Sequence, residues 1–337
     1  MMKHHNHIPA GVFSAFGFLL LIVDGKTAFH GAVQGIELCI RTVIPSLFPF
    51  FILSAILTGS LSGQQLKLLA PIGKLLRIPP GSEGIFLIGI LGGYPTGAQS
   101  IAIASQNGQL NLSDSRRMMG FCNNAGPAFI FGMLGPMFSS RFVPLFLWII
   151  HILSALITGI LLPGKCSNHV VSMPADKQTV QSALVKGIRI TAYVCGWIIL
   201  FRVILAFLDH WFLWMFPNQF KIIISGFLEL SNGCVSLAAI PNEHLRFIIA
   251  SCFLGFGGIC VLMQTSSVAS QTGLGMYLPG KLLQTSISLI LAVIVQNMLF
   301  DQTQTGILLI LPLLTLLFLI FIIFYRNTSR NPALNDV

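Results

Sequence analysis

The chain has 337 residues, of which 54% are hydrophobic and only 9% are charged, and its mean hydropathy is +0.83. Since a soluble domain carries about 25% charged residues, this chain has too few polar side chains to cover a water-facing surface. The composition therefore excludes a soluble fold and predicts an all-α integral membrane protein. The net charge of +9 indicates basic loops facing the cytoplasm and anionic lipid, and no nucleic-acid partner is expected.

Charges and Pro/Gly clusters divide the chain into ten hydrophobic segments, each near the roughly 20 residues that a helix needs to cross the hydrocarbon. The third and seventh segments are interrupted by helix-breaking residues at 92–97 and 230–233. Such an interruption indicates either a broken span or a re-entrant hairpin that returns to the side it entered from. The segments run from 9 to 23, 41 to 60, 84 to 105, 117 to 138, 142 to 162, 187 to 208, 221 to 240, 246 to 270, 281 to 299 and 305 to 325.

The positive-inside rule favours hairpins for these two segments. If all ten segments cross and the N-terminus is inside, each side of the membrane holds nine Lys and Arg residues. Two hairpins instead place thirteen inside and five outside, with Arg202 left out because it lies within a span. We therefore predict about eight transmembrane helices and two re-entrant hairpins in the cell membrane, with both termini cytoplasmic.

This topology makes two inverted repeats, each ordered as span, hairpin, interrupted span and span. In transporters built this way, substrate sites lie near the bilayer centre, where interrupted helices leave backbone groups free. The predicted parts are 1–34 (N-terminal tail and first transmembrane helix), 35–163 (first repeat), 164–186 (cytoplasmic linker), 187–299 (second repeat) and 300–337 (last transmembrane helix and cytoplasmic tail). The predicted hairpin and helix breaks are at Gly93, Pro95, Gly97, Gly126, Pro127, Gly233, Gly257 and Gly258.

Amide and hydroxyl side chains are concentrated at these breaks. They suit a neutral polar ligand such as a sugar hydroxyl or base edge, although such groups also cap broken helices and join helices together. Thr96 as an N-cap, and Pro127 in the first turn of a restarted helix, would point positive helix ends at the midplane and favour a negative or strongly accepting ligand. The candidate substrate-binding residues are Thr96, Gln99, Asn123, Asn124, Ser231, Asn232, Gln264 and Ser266.

Arg202 and Glu229 are charges inside apolar segments, where an unpaired charge costs about 2.5–3.5 kcal/mol on insertion scales. Arg202 lies close enough to the outer end of its span to snorkel to the headgroups. Glu229 precedes the second hairpin tip, and three roles are open for it: an ion pair with Arg202, binding of a coupling cation, or carriage of a proton.

The sequence shows no signature of an enzyme, a cofactor site or a metal site. It has no P-loop, no H-E-x-x-H and no G-x-S-x-G at a strand-to-helix turn. Its seven cysteines are scattered, and His4, His5 and His7 have no neighbouring carboxylate or cysteine. Any transport is therefore expected to be secondary or channel-like, with membrane lipid and a small polar solute as the partners.

Five motifs in order carry a resemblance to a known family. Across roughly residues 35–325 the chain resembles the sporulation integral membrane proteins of the YlbJ type, which belong to the Gate, or nucleoside-recognition, domain membrane proteins. Members often carry a histidine where this chain has Leu262, so that residue's role is not transferred. The motifs are Pro45-Ser46-Leu47-Phe48-Pro49-Phe50, Gly92-Gly93-Tyr94-Pro95-Thr96-Gly97-Ala98, Phe121-Cys122-Asn123-Asn124-Ala125-Gly126-Pro127, Leu228-Glu229-Leu230-Ser231-Asn232-Gly233 and Gly255-Phe256-Gly257-Gly258-Ile259-Cys260-Val261.

The resemblance implies a transport-related membrane core, because Gate domains also occur in concentrative nucleoside transporters and in ferrous iron transporters. It further implies expression in the mother cell of spore-forming Firmicutes and a part in making the spore resistant. We expect a secondary transporter of a small polar or nucleoside-like solute. The alternative is a non-transporting membrane component of spore cortex or coat assembly that acts through sporulation membrane partners.

Overall fold

The computed structural model describes residues 8–61, 67–164, 171 and 179–300. Within these ranges the chain is helical and contains no β-strand. π-Helical turns occur at Cys39–Val43 and Ala128–Leu134. The α-helices are α1 (Ile8–Val23), α2 (Gly25–Leu38), α3 (Ile44–Leu61), α4 (Ala70–Leu76), α5 (Glu83–Gly92), α6 (Thr96–Gln106), α7 (Leu112–Met118), α8 (Val143–Leu161), α9 (Val180–Trp211), α10 (Asn218–Leu228), α11 (Leu230–Ser236), α12 (Glu243–Phe256), α13 (Gly258–Val268) and α14 (Tyr277–Phe300).

Among the described residues, five helical stretches are long and apolar enough to cross a membrane. Their outer faces carry exposed aliphatic side chains, such as Leu200 on α9 and Ile290 on α14, which suits contact with lipid. This architecture is that of an all-helical integral membrane protein. The five stretches are Gly25–Leu57, Val143–Leu161, Val180–Trp211, Glu243–Val268 and Tyr277–Gln296.

The stretch between the first two predicted segments is helical, although the segment boundaries leave it outside both. It forms α2, which begins after Asp24, whose carboxylate accepts a hydrogen bond from the Thr27 amide at 3.2 Å. α2 packs closely along α9, since a Cβ on Gly31 would lie 2.7 Å from the Cβ of Ala206. Small residues allow such close helix packing in membranes. Because α2 carries polar residues, the hydropathy of the sequence did not mark it as a membrane segment.

The third and seventh predicted segments each form two short helices. α5 and α6 have 10 and 11 residues, and α10 and α11 have 11 and 7. At 1.5 Å per residue each is about 10–17 Å long, which is at most about half of the hydrocarbon thickness. None of these four helices could cross the bilayer alone.

Glycines allow each pair of short helices to fold back on itself. A Cβ on Gly233 would lie 2.1 Å from the Cα of Gly226, so the backbones of α10 and α11 touch on either side of the turn at Glu229. In the first pair, Gly89 and Gly97 both pack against Cys122: a Cβ on Gly89 would lie 1.7 Å, and one on Gly97 2.1 Å, from the Cys122 carbonyl oxygen. Because no side chain fits such contacts, glycine is required there.

The fourth and eighth predicted segments contain breaks of a different kind. After α7, residues 119–126 are not helical, and the helical backbone restarts at Pro127, as the sequence predicted. α12 and α13 are separated at Gly257 and Gly258, whose φ angles of +84° and +85° favour glycine. The predicted last transmembrane segment at 305–325, the N-terminal histidines and most of the linker at 164–186 lie outside the described residues.

Candidate functional site

A partly open cavity lies where the two folded-back helix pairs meet the first break and α13. The turn between α5 and α6 and the turn between α10 and α11 are called here the first and second tips. Both tips border the cavity, together with residues at the first break and side chains of α3, α9 and α13. The lining residues are Leu47, Phe51, Gly92, Gly93, Tyr94, Gly126, Ala128, Phe129, Val194, Ile198, Glu229, Leu230, Ser231, Val261 and Gln264.

Close backbone contacts hold each tip against a break. A Cβ on Gly93 at the first tip would lie 3.2 Å from the Cα of Gly126 in the first break. A Cβ on Gly258 in the second break would lie 3.2 Å from the backbone nitrogen of Leu230 at the second tip. The two halves of the molecule therefore repeat the same tip-to-break contact around one cavity.

Asn123, in the first break, forms a hydrogen bond with the backbone of the first turn of α6. Its Oδ1 accepts a hydrogen bond from the Ala98 amide at 3.3 Å, and its Nδ2 donates to Thr265 Oγ1 of α13 at 2.9 Å. Thr96 was predicted to cap this helix, and that prediction is wrong. The Thr96 hydroxyl instead donates to the Gly93 carbonyl at 2.6 Å, because Thr96 is already the first helical residue.

Lys281, on α14, is fully buried beside the first tip. Its Nζ donates to Gln284 Oε1 at 2.8 Å and to the Tyr94 hydroxyl at 3.4 Å. The same nitrogen lies 5.3 Å from the ring centre of Tyr94 and 5.8 Å from that of Tyr277, within the range of cation–π attraction. Among the described residues no carboxylate forms an ion pair with Lys281.

Buried polar groups continue from Lys281 to the first break. Gln284 Nε2 donates to Asn124 Oδ1 at 3.0 Å, and Asn124 Nδ2 donates to the Phe121 carbonyl at 2.7 Å. His151 on α8 accepts a hydrogen bond from the Ala125 amide through Nε2 at 3.0 Å. Its Nδ1 is buried with no hydrogen-bond partner in the described part of the chain. The first break is thus held by side chains from α8 and α14.

Glu229 organises the second tip through its own carboxylate. Oε1 accepts from the Ser231 amide at 2.9 Å, and Oε2 accepts from both the amide and the Nδ2 of Asn232 at 2.7 Å. These bonds satisfy the first N–H groups of α11, and the negative charge lies at the positive end of that helix. The side chain is almost fully buried, so the cap is shielded from water.

Arg202 contacts groups other than Glu229. Its Nη2 donates to Gln34 Oε1 of α2 at 2.5 Å, and its Nη1 lies 3.9 Å from Asp209 Oδ2 on α9. Among the described residues no ion pair joins Arg202 and Glu229. The two intramembrane charges that the sequence singled out are therefore held separately, each by its own partners.

The candidate binding residues fall into three groups. Ser231 and Gln264 line the cavity, and Asn123, Asn124 and Asn232 hold the breaks and tips next to it. Thr96 and Gln99 lie on α6 away from the cavity lining, and Ser266 is exposed on the outer face of α13. Their binding roles stay predictions.

Sequence reasoning missed Lys281 as an interior charge. It counted Lys281 with the cytoplasmic loop residues, whereas the structure places this side chain inside the protein. Without Lys281 the predicted count is twelve to five, so the bias behind the topology persists. A usable signal was present: Lys281, Gln284, Thr285 and Ser288 are spaced as one face of a helix, and all four are buried.

The cavity combines apolar walls with a few fixed polar groups. Phe51 and Phe129 offer flat surfaces, while Ser231, Gln264 and Tyr94 offer hydrogen-bonding groups. Among the described residues no group of three or more His, Cys, Asp or Glu side chains is arranged to hold a metal ion. The lining therefore presents both flat apolar faces and hydrogen-bonding groups.

Comparison with known proteins gives one informative similarity. The chain is 26% identical over 312 residues to the sporulation integral membrane protein YlbJ of Bacillus subtilis (strain 168), and the alignment covers 79% of this chain and 76% of the relative. No protein-family model matches the chain. No solved structure matches it either. The similarity supports assignment to the YlbJ-type membrane proteins.

Proposed function

We propose that this YlbJ-type membrane protein acts in sporulation as a secondary transporter with a Gate-like core, which binds a small polar or nucleoside-like solute between its two tips. The observation that carries the proposal is the cavity bordered by both tips, the first break and α13. Interrupted helices that meet at one site near the membrane centre are typical of transporters with inverted repeats.

The repeated contacts support an inverted-repeat arrangement. Gly93 contacts Gly126 in the first half, and Leu230 contacts Gly258 in the second. In the proposed topology each repeat contributes three crossings and one re-entrant hairpin, the termini are cytoplasmic, and the site is exposed to the two sides in turn. Reporter fusions after Asn107 and after Asn168 test this topology: both should report the cytoplasm, and opposite sides would contradict it.

The cavity walls suggest the chemistry of the solute. Phe51 and Phe129 suit a flat ring, whereas Ser231 and Gln264 suit hydroxyl or amide edges. Lys281 adds a positive charge behind Tyr94, which favours a solute with strong hydrogen-bond acceptors. A nucleoside-like molecule combines these features, and other small ring compounds with polar edges share them.

A thermal-shift screen of the purified full-length protein tests this proposal. The panel contains nucleosides, nucleotides, cell-wall precursors and metal ions, because a ligand at 100 times its dissociation constant stabilises the folded state by about 2.7 kcal/mol. We expect a concentration-dependent rise in the melting temperature with one class of small organic molecule. If none of the panel shifts melting, the non-transporting alternative, in which the protein acts through sporulation membrane partners, is favoured.

A further inference from the structure

Lys281 differs from Arg202 and Glu229, the two interior charges that the sequence singled out, in how its charge is balanced. Arg202 lies near Asp209, and Glu229 accepts three hydrogen bonds from Ser231 and Asn232. Lys281 is surrounded by neutral acceptors and aromatic faces instead, with no carboxylate partner in the described part of the chain. A full charge held this way in a membrane interior is expensive, and such residues mark functional sites.

Lys281 is also connected to the cavity. Its hydrogen-bond partner Tyr94 lines the cavity at the first tip, and the Tyr94 hydroxyl also lies 3.4 Å from the Leu254 carbonyl at the end of α12. A Cβ on Gly257 would lie 3.0 Å from that hydroxyl, so Tyr94 is seated against the second break. A change in the charge of Lys281 would therefore alter the electrostatic environment of both the cavity and the second break.

We propose that Lys281 is the proton-binding group that couples solute binding in the cavity to proton uptake and release. The proposal rests on the transport function proposed above. On release, one N–H bond of the ammonium group breaks as its proton binds the Tyr94 oxygen, the Tyr94 hydroxyl gives its own proton to water or solute in the cavity, and Lys281 is left as a neutral amine. On uptake the same steps run in reverse. A lysine can do this, whereas an arginine at the same place would stay charged.

The groups that face Lys281 belong to several elements. Tyr94 comes from the first tip, Cys122 from the first break, His151 from α8, and Tyr277 from the first turn of α14. Gln284 accepts a hydrogen bond from the Lys281 amine through Oε1 and donates one to Asn124 through Nε2. Since none of these is a carboxylate, the charge of Lys281 itself dominates this part of the protein.

The direct test uses protons as the probe and needs no solute. The melting temperature of the purified full-length protein is measured from about pH 5.5 to pH 9.5 for the wild type, Lys281→Gln and the control Lys221→Gln on α10. If Lys281 titrates while buried, the difference in melting temperature between wild type and Lys281→Gln changes by about 2 °C per pH unit over its titration range. Lys221→Gln should run parallel to the wild type. Parallel curves for wild type and Lys281→Gln overturn the proposal.

Two further variants keep the test decisive if Lys281→Gln fails to fold. Tyr94→Phe keeps the ring but removes the hydroxyl, and we expect it to shift the pH at which the slope of melting temperature against pH changes.

In a spore-forming host that lacks its own copy of the protein, Lys281→His should restore more heat-resistant spores than Lys281→Arg. Full restoration by Lys281→Arg contradicts the proposal, because a fixed charge would then suffice. A positive pH result with no hit in the solute screen would retain the proton site and remove the transporter.

Discussion

The two tips border the same cavity but are stabilised in different ways. The second tip is capped within its own segment, by the Glu229 carboxylate on the Ser231 and Asn232 amides. The first tip is capped from a distance, by Asn123 of the first break on the Ala98 amide, and has the positive charge of Lys281 beside it. One side of the cavity therefore carries a negative charge tied to a helix end, and the other carries a positive charge held by neutral groups.

This difference indicates that the two tips have different roles. A carboxylate that accepts three hydrogen bonds at a helix N-terminus is a rigid structural element. A lysine with neutral partners can change its charge without leaving an opposite charge unpaired. The proposed proton coupling therefore belongs to the first tip, and the second tip has a structural role.

The largest expected effect comes from two close glycine contacts, one between α10 and α11 and one between α5 and Cys122 of the first break. Gly233→Ala places a Cβ 2.1 Å from the Cα of Gly226, and Gly89→Ala places one 1.7 Å from the Cys122 carbonyl oxygen. Because backbone atoms must move in both cases, we expect each change to cost about 3 kcal/mol in unfolding free energy. Denaturant unfolding in detergent measures the loss.

Gly196→Ala on α9 is the matched control, since a Cβ there would meet nothing within 4 Å. It should be neutral or stabilise the helix by up to about 1 kcal/mol. Equal stabilities for Gly233→Ala and Gly196→Ala would refute the folded-back geometry of α10 and α11.

The next largest effect is expected from the Glu229 cap, which only the second tip has. Glu229→Ala removes the cap of α11 and leaves buried N–H groups unsatisfied, so we expect a loss of about 2–3 kcal/mol. Glu229→Gln keeps one accepting oxygen and should lose about half as much. Thermal unfolding of the two variants measures this order. Wild-type stability of Glu229→Ala would show that the carboxylate has no structural role and would return it to the list of coupling groups.

The smallest effect concerns the distant cap of the first tip. Asn123 joins Ala98 on α6 to Thr265 on α13, and the second of these bonds is 2.9 Å long. A double-mutant cycle with Asn123→Ala and Thr265→Val should give a coupling free energy of about 1 kcal/mol. Additive effects of the two changes would mean that this bond does not join the first break to α13.

The positions of helices and breaks were predicted from the sequence better than the contacts between distant residues. Apolar runs and Gly/Pro clusters located α8 and both tips, because each of these features depends on residues close together in the chain. The hydrogen-bond partner of Arg202 on α2 is Gln34, 168 positions away, and no local pattern reveals it. Thr96 was assigned as a cap because its residue type favours that role, but the nearby Gly93 carbonyl takes its hydroxyl.

The interior position of Lys281 was missed for a similar reason. Hydropathy places this residue at the end of a segment, where a lysine usually faces water or headgroups. Its burial depends on Tyr94, which is far away in the chain, and on Gln284, one helical turn further along α14. The helical spacing of the buried polar residues on α14 was the signal that hydropathy averaging concealed.

The central claim is that one solute site lies between the two tips, and a pair of glutamine variants tests it most directly. Gln264 lines the cavity, whereas Gln99 lies on α6 outside it. The dissociation constant of the compound with the largest shift in the screen is measured for Gln264→Leu and Gln99→Leu. We predict that Gln264→Leu weakens binding at least about tenfold, which corresponds to 1.4 kcal/mol, and that Gln99→Leu binds like the wild type. Unchanged binding by Gln264→Leu, or a loss confined to Gln99→Leu, would contradict this account.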